Sequence, residues 1–188
     1  MMKLITSEVL VIVPILFFSI VMKSSKMKKW SFRYLLKTTL LMVFFTCMFA
    51  LTIFPIPVNP EYIQNELAKG PNNHPFNNFE LFQSIKRFYY YSPSGTYFFK
   101  QIFGNILLFM PLGFILPSVF PKQNHLVKVF FISFLTSVMI EFIQYSISNS
   151  VGFVIRVADV DDVVLNTIGG IIGFMMYQIW TKIVPIRR

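Results

Sequence analysis

The second half of the chain holds polar side chains whose types and spacing could do chemistry. Ser137, Glu141 and Gln144 are spaced i, i+4 and i+7, so on a helix they share one face. The run Arg156-Val157-Ala158-Asp159-Val160-Asp161-Asp162 follows, and Asn166 continues the face that carries Asp159 and Asp162. Asn105 stands earlier, ahead of Pro111 and Gly113. A guanidinium such as that of Arg156 matches a phosphate or carboxylate through its planar fork. The amides of Asn105, Gln144 and Asn166 would orient a bound headgroup. Glu141, Asp159, Asp161 and Asp162 offer oxygen ligands of the kind that suit Mg²⁺ or Mn²⁺. An ion held there would polarise a phosphoryl group or activate water. No nucleophile–base pair is readable, so no catalytic residue is assigned. Asp at a helix start also complements the helix dipole, so one of the three could be only a cap.

These groups sit in a chain unlike a soluble one. Of 188 residues, 55% are hydrophobic and only 13% are charged, against about 25% charged in soluble domains. A soluble domain of this size could not cover so much apolar surface. The numbers exclude a soluble enzyme and a disordered tail. Cys47 is the single cysteine, and His74 and His125 fall in expected loops, so neither an internal disulfide nor a Cys/His zinc site can form.

A bilayer-spanning helix needs about 20 apolar residues. Five stretches qualify: about Leu4 to Met22, Tyr34 to Val58 closed by Pro55 and Pro57, Ile102 to Phe120, Leu126 to Ile147, and Val163 to Val184. Their apolar runs do not alternate as barrel strands would. The expected fold is all-α: a polytopic bundle of about five transmembrane helices forming a single integral membrane domain over residues 1–188. The first stretch has one leading charge, Lys3, and no small-residue cleavage site, so it reads as a retained helix. Lys23, Lys26, Lys28, Lys29, Arg33 and Lys37 place the following segment in the cytoplasm. The N-terminus is then outside and the C-terminus inside. With that topology eleven basic residues lie inside, and six basic residues and all eight acids lie outside. The net charge of +9 is thus a topology signal near anionic lipid rather than a nucleic-acid footprint.

One long extracytoplasmic loop spans about 59–101. Its first half, with Pro60, Gly70, Pro71 and Pro75, reads as irregular. Its second half places Phe79, Phe82, Ile85 and Phe88 or Tyr89 at helical spacing, followed by Tyr90 and Tyr91. That pattern predicts a short amphipathic helix on the outer leaflet, the alternative being a lid packed on the bundle.

Intramembrane polar groups are costly and need partners. Arg156 is the nearest cation for Glu141. Gly113, Gly169 and Gly173 permit close helix approach, and Pro111 removes a backbone donor. The outer ends of spans three, four and five carry polar groups at one depth. The expectation is one outer-leaflet site of Asn105, Glu141, Gln144, Arg156, Asp159, Asp162 and Asn166. The competing reading is a network that only holds the bundle together.

At these residues the sequence resembles the VanZ-like family of bacterial membrane proteins. The matching pieces are N-x5-P-x-G from Asn105 to Gly113, E-x-x-Q at Glu141 and Gln144, and Arg156-x2-Asp159-x-Asp161-Asp162-x3-Asn166-x2-Gly169-x3-Gly173. They define a core over about 100–184. The resemblance implies a multi-pass protein of the bacterial cytoplasmic membrane. The family's name-giving member is associated with resistance to the glycopeptide teicoplanin; the family pattern supplies no catalytic residues. The implied function is a cell-envelope protein with membrane lipid, a lipid-linked cell-wall precursor or a glycopeptide as partner. The alternatives are an enzyme acting on a lipid or lipid-linked phosphate, a purely structural network and, last, a transporter. The oligomeric state is not legible.

Overall fold

The computed structural model describes residues 4–5, 15–16, 19, 31–70, 75–91 and 95–184. Four helices among them are long and apolar enough to cross a membrane: α1 (Phe32–Ile53), α4 (Thr96–Val119), α5 (Leu126–Val151) and α6 (Val160–Ile183). Two shorter helices, α2 (Pro60–Ala68) and α3 (Gln83–Tyr91), lie between α1 and α4. Most of the first expected span, Leu4 to Met22, lies outside the described residues. Its first two residues are not helical: Leu4–Ile5 form a two-residue strand, β1, antiparallel to β2 (Ile56–Pro57). The bundle is otherwise all-α.

Local sequence explains the helix ends. The Ser31 hydroxyl accepts from Tyr34 N at 3.3 Å and opens α1. Asn59 caps α2 by accepting from Glu61 N at 2.9 Å, and Pro60 follows at the position where a missing N–H is harmless. The first half of the long loop is therefore helical where an irregular chain was expected; the Asn-Pro-Glu start is the signal that marks it. Helix α4 begins six residues before its expected start, after Gly95 at φ +65°. Helix α3 begins at Gln83, because Phe82 has φ +64° and breaks the expected apolar stripe. Hydroxyls inside the spans satisfy themselves locally. Thr46, Thr52 and Thr167, for example, each donate to the carbonyl four residues back.

The core is built from Leu41 and Met48 of α1, Phe109, Leu112 and Leu116 of α4, Ile140 of α5 and Phe174 of α6. Large apolar side chains such as Leu107, Phe131, Met139, Phe142 and Ile183 face outward. Lipid gives helices no hydrophobic reason to associate, so close packing and hydrogen bonds must do it. The tightest contact joins α4 and α6. A Cβ at Gly113 would overlap the Gly170 carbonyl, one at Gly169 the Ile106 carbonyl, and one at Gly173 the Met110 carbonyl. On the other side a Cβ at Gly170 would overlap the Ser133 hydroxyl of α5. Helix α4 runs through Pro111 and Pro117 without interruption.

This seam predicts a sharp contrast. Gly169→Ala or Gly173→Ala forces the two backbones apart, at a cost of about 1–3 kcal/mol or more. Gly104→Ala, with nothing within 4 Å of the added carbon, is expected to be near neutral. Thermal unfolding of the purified variants in detergent checks this; equal midpoints for all three would contradict it.

Candidate functional site

The end of the bundle that carries the C-termini of α1 and α5 and the N-termini of α4 and α6 is built from backbone groups that their own helices cannot satisfy. Side chains from neighbouring segments meet them. Gln144 of α5 donates its amide N–H to the Thr52 carbonyl at 2.9 Å, and Arg156 donates from Nη2 to the Phe54 carbonyl. Both cap the C-terminus of α1, where the helix dipole also favours the Arg156 cation. Glu141 accepts from the backbone N–H of Asp159 at 2.8 Å. Asp159 in turn caps α6 by accepting from Asp161 N at 2.9 Å.

The expected partner for Glu141, Arg156, is not its partner. The two share a cavity wall, but among the described residues the ion pair formed is Lys69 with Glu66. A carbonyl at the end of α1 holds the guanidinium, and a backbone amide holds the carboxylate. Both attractions are invisible in a sequence because every residue carries those groups.

The three neighbouring aspartates divide sharply. Asp161 is fully buried and faces α3, not the site. Its carboxylate accepts from Phe82 N, from Ser84 N at 3.0 Å and from Ile85 N at 3.2 Å. It thereby caps the first turn of α3 from a distant part of the chain. Asp162, one residue on, points to α4. Its Oδ1 accepts from Asn105 Nδ2 at 2.7 Å and from Gln101 Nε2. Gln101 was expected to end the loop rather than join the site. Its place one helical turn before Asn105 is the signal that could have found it.

Asn77 and Asn78 were also missed. The main chain of Asn78 pairs with the segment before α6, donating to Ala158 O at 2.8 Å and accepting from Val160 N at 3.0 Å. The buried Asn78 amide donates to Asp159 Oδ1 at 2.7 Å and to Ser84 Oγ at 3.1 Å. Helix α3 is thus strapped to the bundle by polar contacts, as a packed lid would be. It still turns Tyr89, Tyr90 and Tyr91 outward.

Six of the seven expected site residues, Asn105, Glu141, Gln144, Arg156, Asp162 and Asn166, line one cavity of about 290 Å³. Asp159 does not reach it. It lines a second polar cavity of about 240 Å³ with Arg87 and Gln101, which shares Gln144, Arg156 and Asp162 with the first. A third hollow of about 250 Å³ is apolar and lies against Phe142, Tyr145 and Val163, with Glu141 and Asp159 on its wall. Asn166 donates to Ser137 Oγ at 2.8 Å, which joins α6 to α5 beneath the first cavity.

Two of the four carboxylates are taken up by contacts within the chain. Asp161 is committed to three backbone amides, and Asp159 to its own helix and Asn78. Among the described residues no three His, Cys, Asp or Glu side chains are grouped to hold a metal ion.

The Asp161 cap predicts a local effect. In Asp161→Ala three amides at the start of α3 lose their acceptor, and each buried amide left bare costs about 1–3 kcal/mol. The amides of Ser84 and Ile85 are expected to exchange with solvent at least about tenfold faster, since about 1.4 kcal/mol is a factor of ten. The α4–α6 seam should keep its protection. Hydrogen-exchange mass spectrometry reads both regions; unchanged exchange at residues 82–91 would remove the cap.

The family model VanZ/LLP1 matches residues 40–181, which take in most of α1 and α6 and all of α2 to α5. A curated relative, Protein VanZ of Enterococcus faecium, is 32% identical over 84 residues, covering 45% of this chain and 48% of that protein. The match therefore spans about half the length of the curated relative. No solved structure matches the chain. With three quarters of its length matched by the family model and four membrane-length apolar helices, the chain is a membrane protein belonging to the VanZ/LLP1 family.

Proposed function

We propose that this protein works at the extracytoplasmic leaflet of the bacterial cytoplasmic membrane, binding the polar head of an envelope lipid or lipid-linked cell-wall precursor. The supporting observation is the pair of polar cavities that share Gln144, Arg156 and Asp162. Five separate stretches of chain supply their walls at one end of the bundle, and ionisable groups gathered in a membrane protein point to a functional site.

Charge distribution supports the side of the membrane. At the opposite end of the bundle Arg33, Lys37, Lys122, Lys128 and Lys182 occur without an acid among the described residues. Lys37 there donates to the Ser118 carbonyl at 3.3 Å. Under the positive-inside rule that end is cytoplasmic, which turns the cavities outward. Arg156 and Arg87 suit a phosphate or carboxylate at the cavity mouth. The exposed tyrosines of α3 suit the lipid interface beside it. A protein that holds such a precursor alters what a glycopeptide meets at the cell surface, so glycopeptide susceptibility of the teicoplanin type is the expected phenotype.

The test compares cells lacking the gene with cells restored by the unmodified chain, by Glu141→Gln or by Arg156→Ala, at matched protein level. Teicoplanin susceptibility and the lipid-linked precursor pool are measured. Loss of the gene is expected to shift both, and the two variants are expected to recover less than half of the shift. Full recovery by both variants would remove the cavity from the function.

A further inference from the structure

The first cavity, of about 290 Å³, is the inner of the two, and residues on its wall carry hydrogen-bond acceptors that have no donor. Gln144 Oε1 and Asn166 Oδ1 are buried without a donor. The direction of the Gln144 amide is fixed, because turning it over would set its oxygen against the Thr52 carbonyl oxygen. Asn166 is only 2% exposed, and with its N–H given to Ser137 its carbonyl is left to the cavity. Glu141 uses Oε2 for Asp159 N, and Asp162 uses Oδ1 for Gln101 and Asn105. Among the described residues the second oxygen of each carboxylate takes no such bond. Buried polar atoms are nearly always satisfied, so bare acceptors in a cavity ask for a donor from outside the chain. An ammonium supplies three donors and no acceptor. The second, outer cavity, across the shared wall, is lined by both Arg87 and Arg156.

On the reading of these cavities as a headgroup site, we propose that the inner cavity takes a primary ammonium and the outer cavity the phosphate joined to it, so that the ligand is an aminoethyl-phosphate headgroup. The carbonyls of Gln144 and Asn166 and the carboxylate of Glu141 receive the ammonium protons. Arg156, standing on the shared wall, and Arg87 hold the phosphate. A quaternary ammonium carries the same charge but no N–H, and a glycerol head carries hydroxyls but no charge, so both satisfy the cavity less well. The chemistry is the same for an aminophospholipid and for free phosphoethanolamine.

The experiment uses the full chain in detergent micelles, titrated with short-chain phosphatidylethanolamine, phosphatidylcholine and phosphatidylglycerol, and separately with soluble phosphoethanolamine. Bound lipid is counted by native mass spectrometry. Phosphatidylethanolamine is expected to bind at least tenfold more tightly than either other lipid. Competition by phosphoethanolamine at the same concentration supports the headgroup chemistry with a soluble ligand sufficient. Retained lipid selectivity without that competition supports a lipid source. Asn166→Leu is expected to bring the three lipids within about twofold of one another. Because this variant also loses the bond to Ser137, the lipid preference of the unmodified chain is the deciding measurement. Equal binding of the three lipids, or tighter binding of phosphatidylglycerol or phosphatidylcholine, overturns the ammonium assignment. Among these outcomes, tight selective binding of another head leaves the headgroup site standing, whereas no lipid above the micelle background overturns both.

Discussion

Helices α4 and α6 touch backbone to backbone, and everything at the polar end of the bundle depends on that contact. Gly113, Gly169 and Gly173 each lie against a carbonyl of the facing helix with no room for a methyl group. In lipid, where apolar burial does not drive helices together, such proximity lets dispersion and short polar contacts accumulate. It also sets register. With Gly169 against Ile106, Asn105 and Gln101 stand beside Asp162, which lines the first cavity with Asn105 and the second with Gln101. A bulkier seam would part these groups before it disturbed any of them directly.

A second constraint follows from the backbone groups that helix ends leave unpaired. The C-terminus of α1 and the start of α3 take side-chain partners from other segments, and α6 is capped by its own Asp159. Gln144, Arg156, Asp159 and Asp161 therefore each have a structural task, which the scaffold reading of the sequence anticipates. That reading leaves some atoms unexplained. Once every cap is formed, the carbonyls of Gln144 and Asn166 remain buried and bare at the cavity.

Adjacent residues with the same side chain take opposite roles. Asp161 and Asp162 differ by one step along α6, or about 100° around its axis. That rotation turns Asp161 toward the start of α3 and Asp162 toward α4. One carboxylate disappears into three backbone amides and becomes a strut for the loop. The other keeps its contacts with side chains and lines both cavities.

Much of the architecture is legible in the sequence. Lipid as solvent demands long apolar runs, and demand of that kind is written in composition, so α1, α4, α5 and α6 could be located to within a few residues of most ends. Position along the bundle could be read as well, because a helix rises by a fixed amount per residue and so ranks Asn105, Glu141 and Asp162 by position alone. Pairing was not legible. Glu141 binds an amide and Arg156 a carbonyl, and such groups belong to every residue, so no residue type announces them. Asn78 looked like part of a featureless loop until the chain folded back and placed it between Ala158 and Val160. Sequence alone determined which groups reach this end of the bundle, since that follows from rise per residue and apolar length. Only the tertiary structure decided which of them are consumed as caps and which remain open to a cavity, since that depends on the rotation and close approach of helices far apart in the chain.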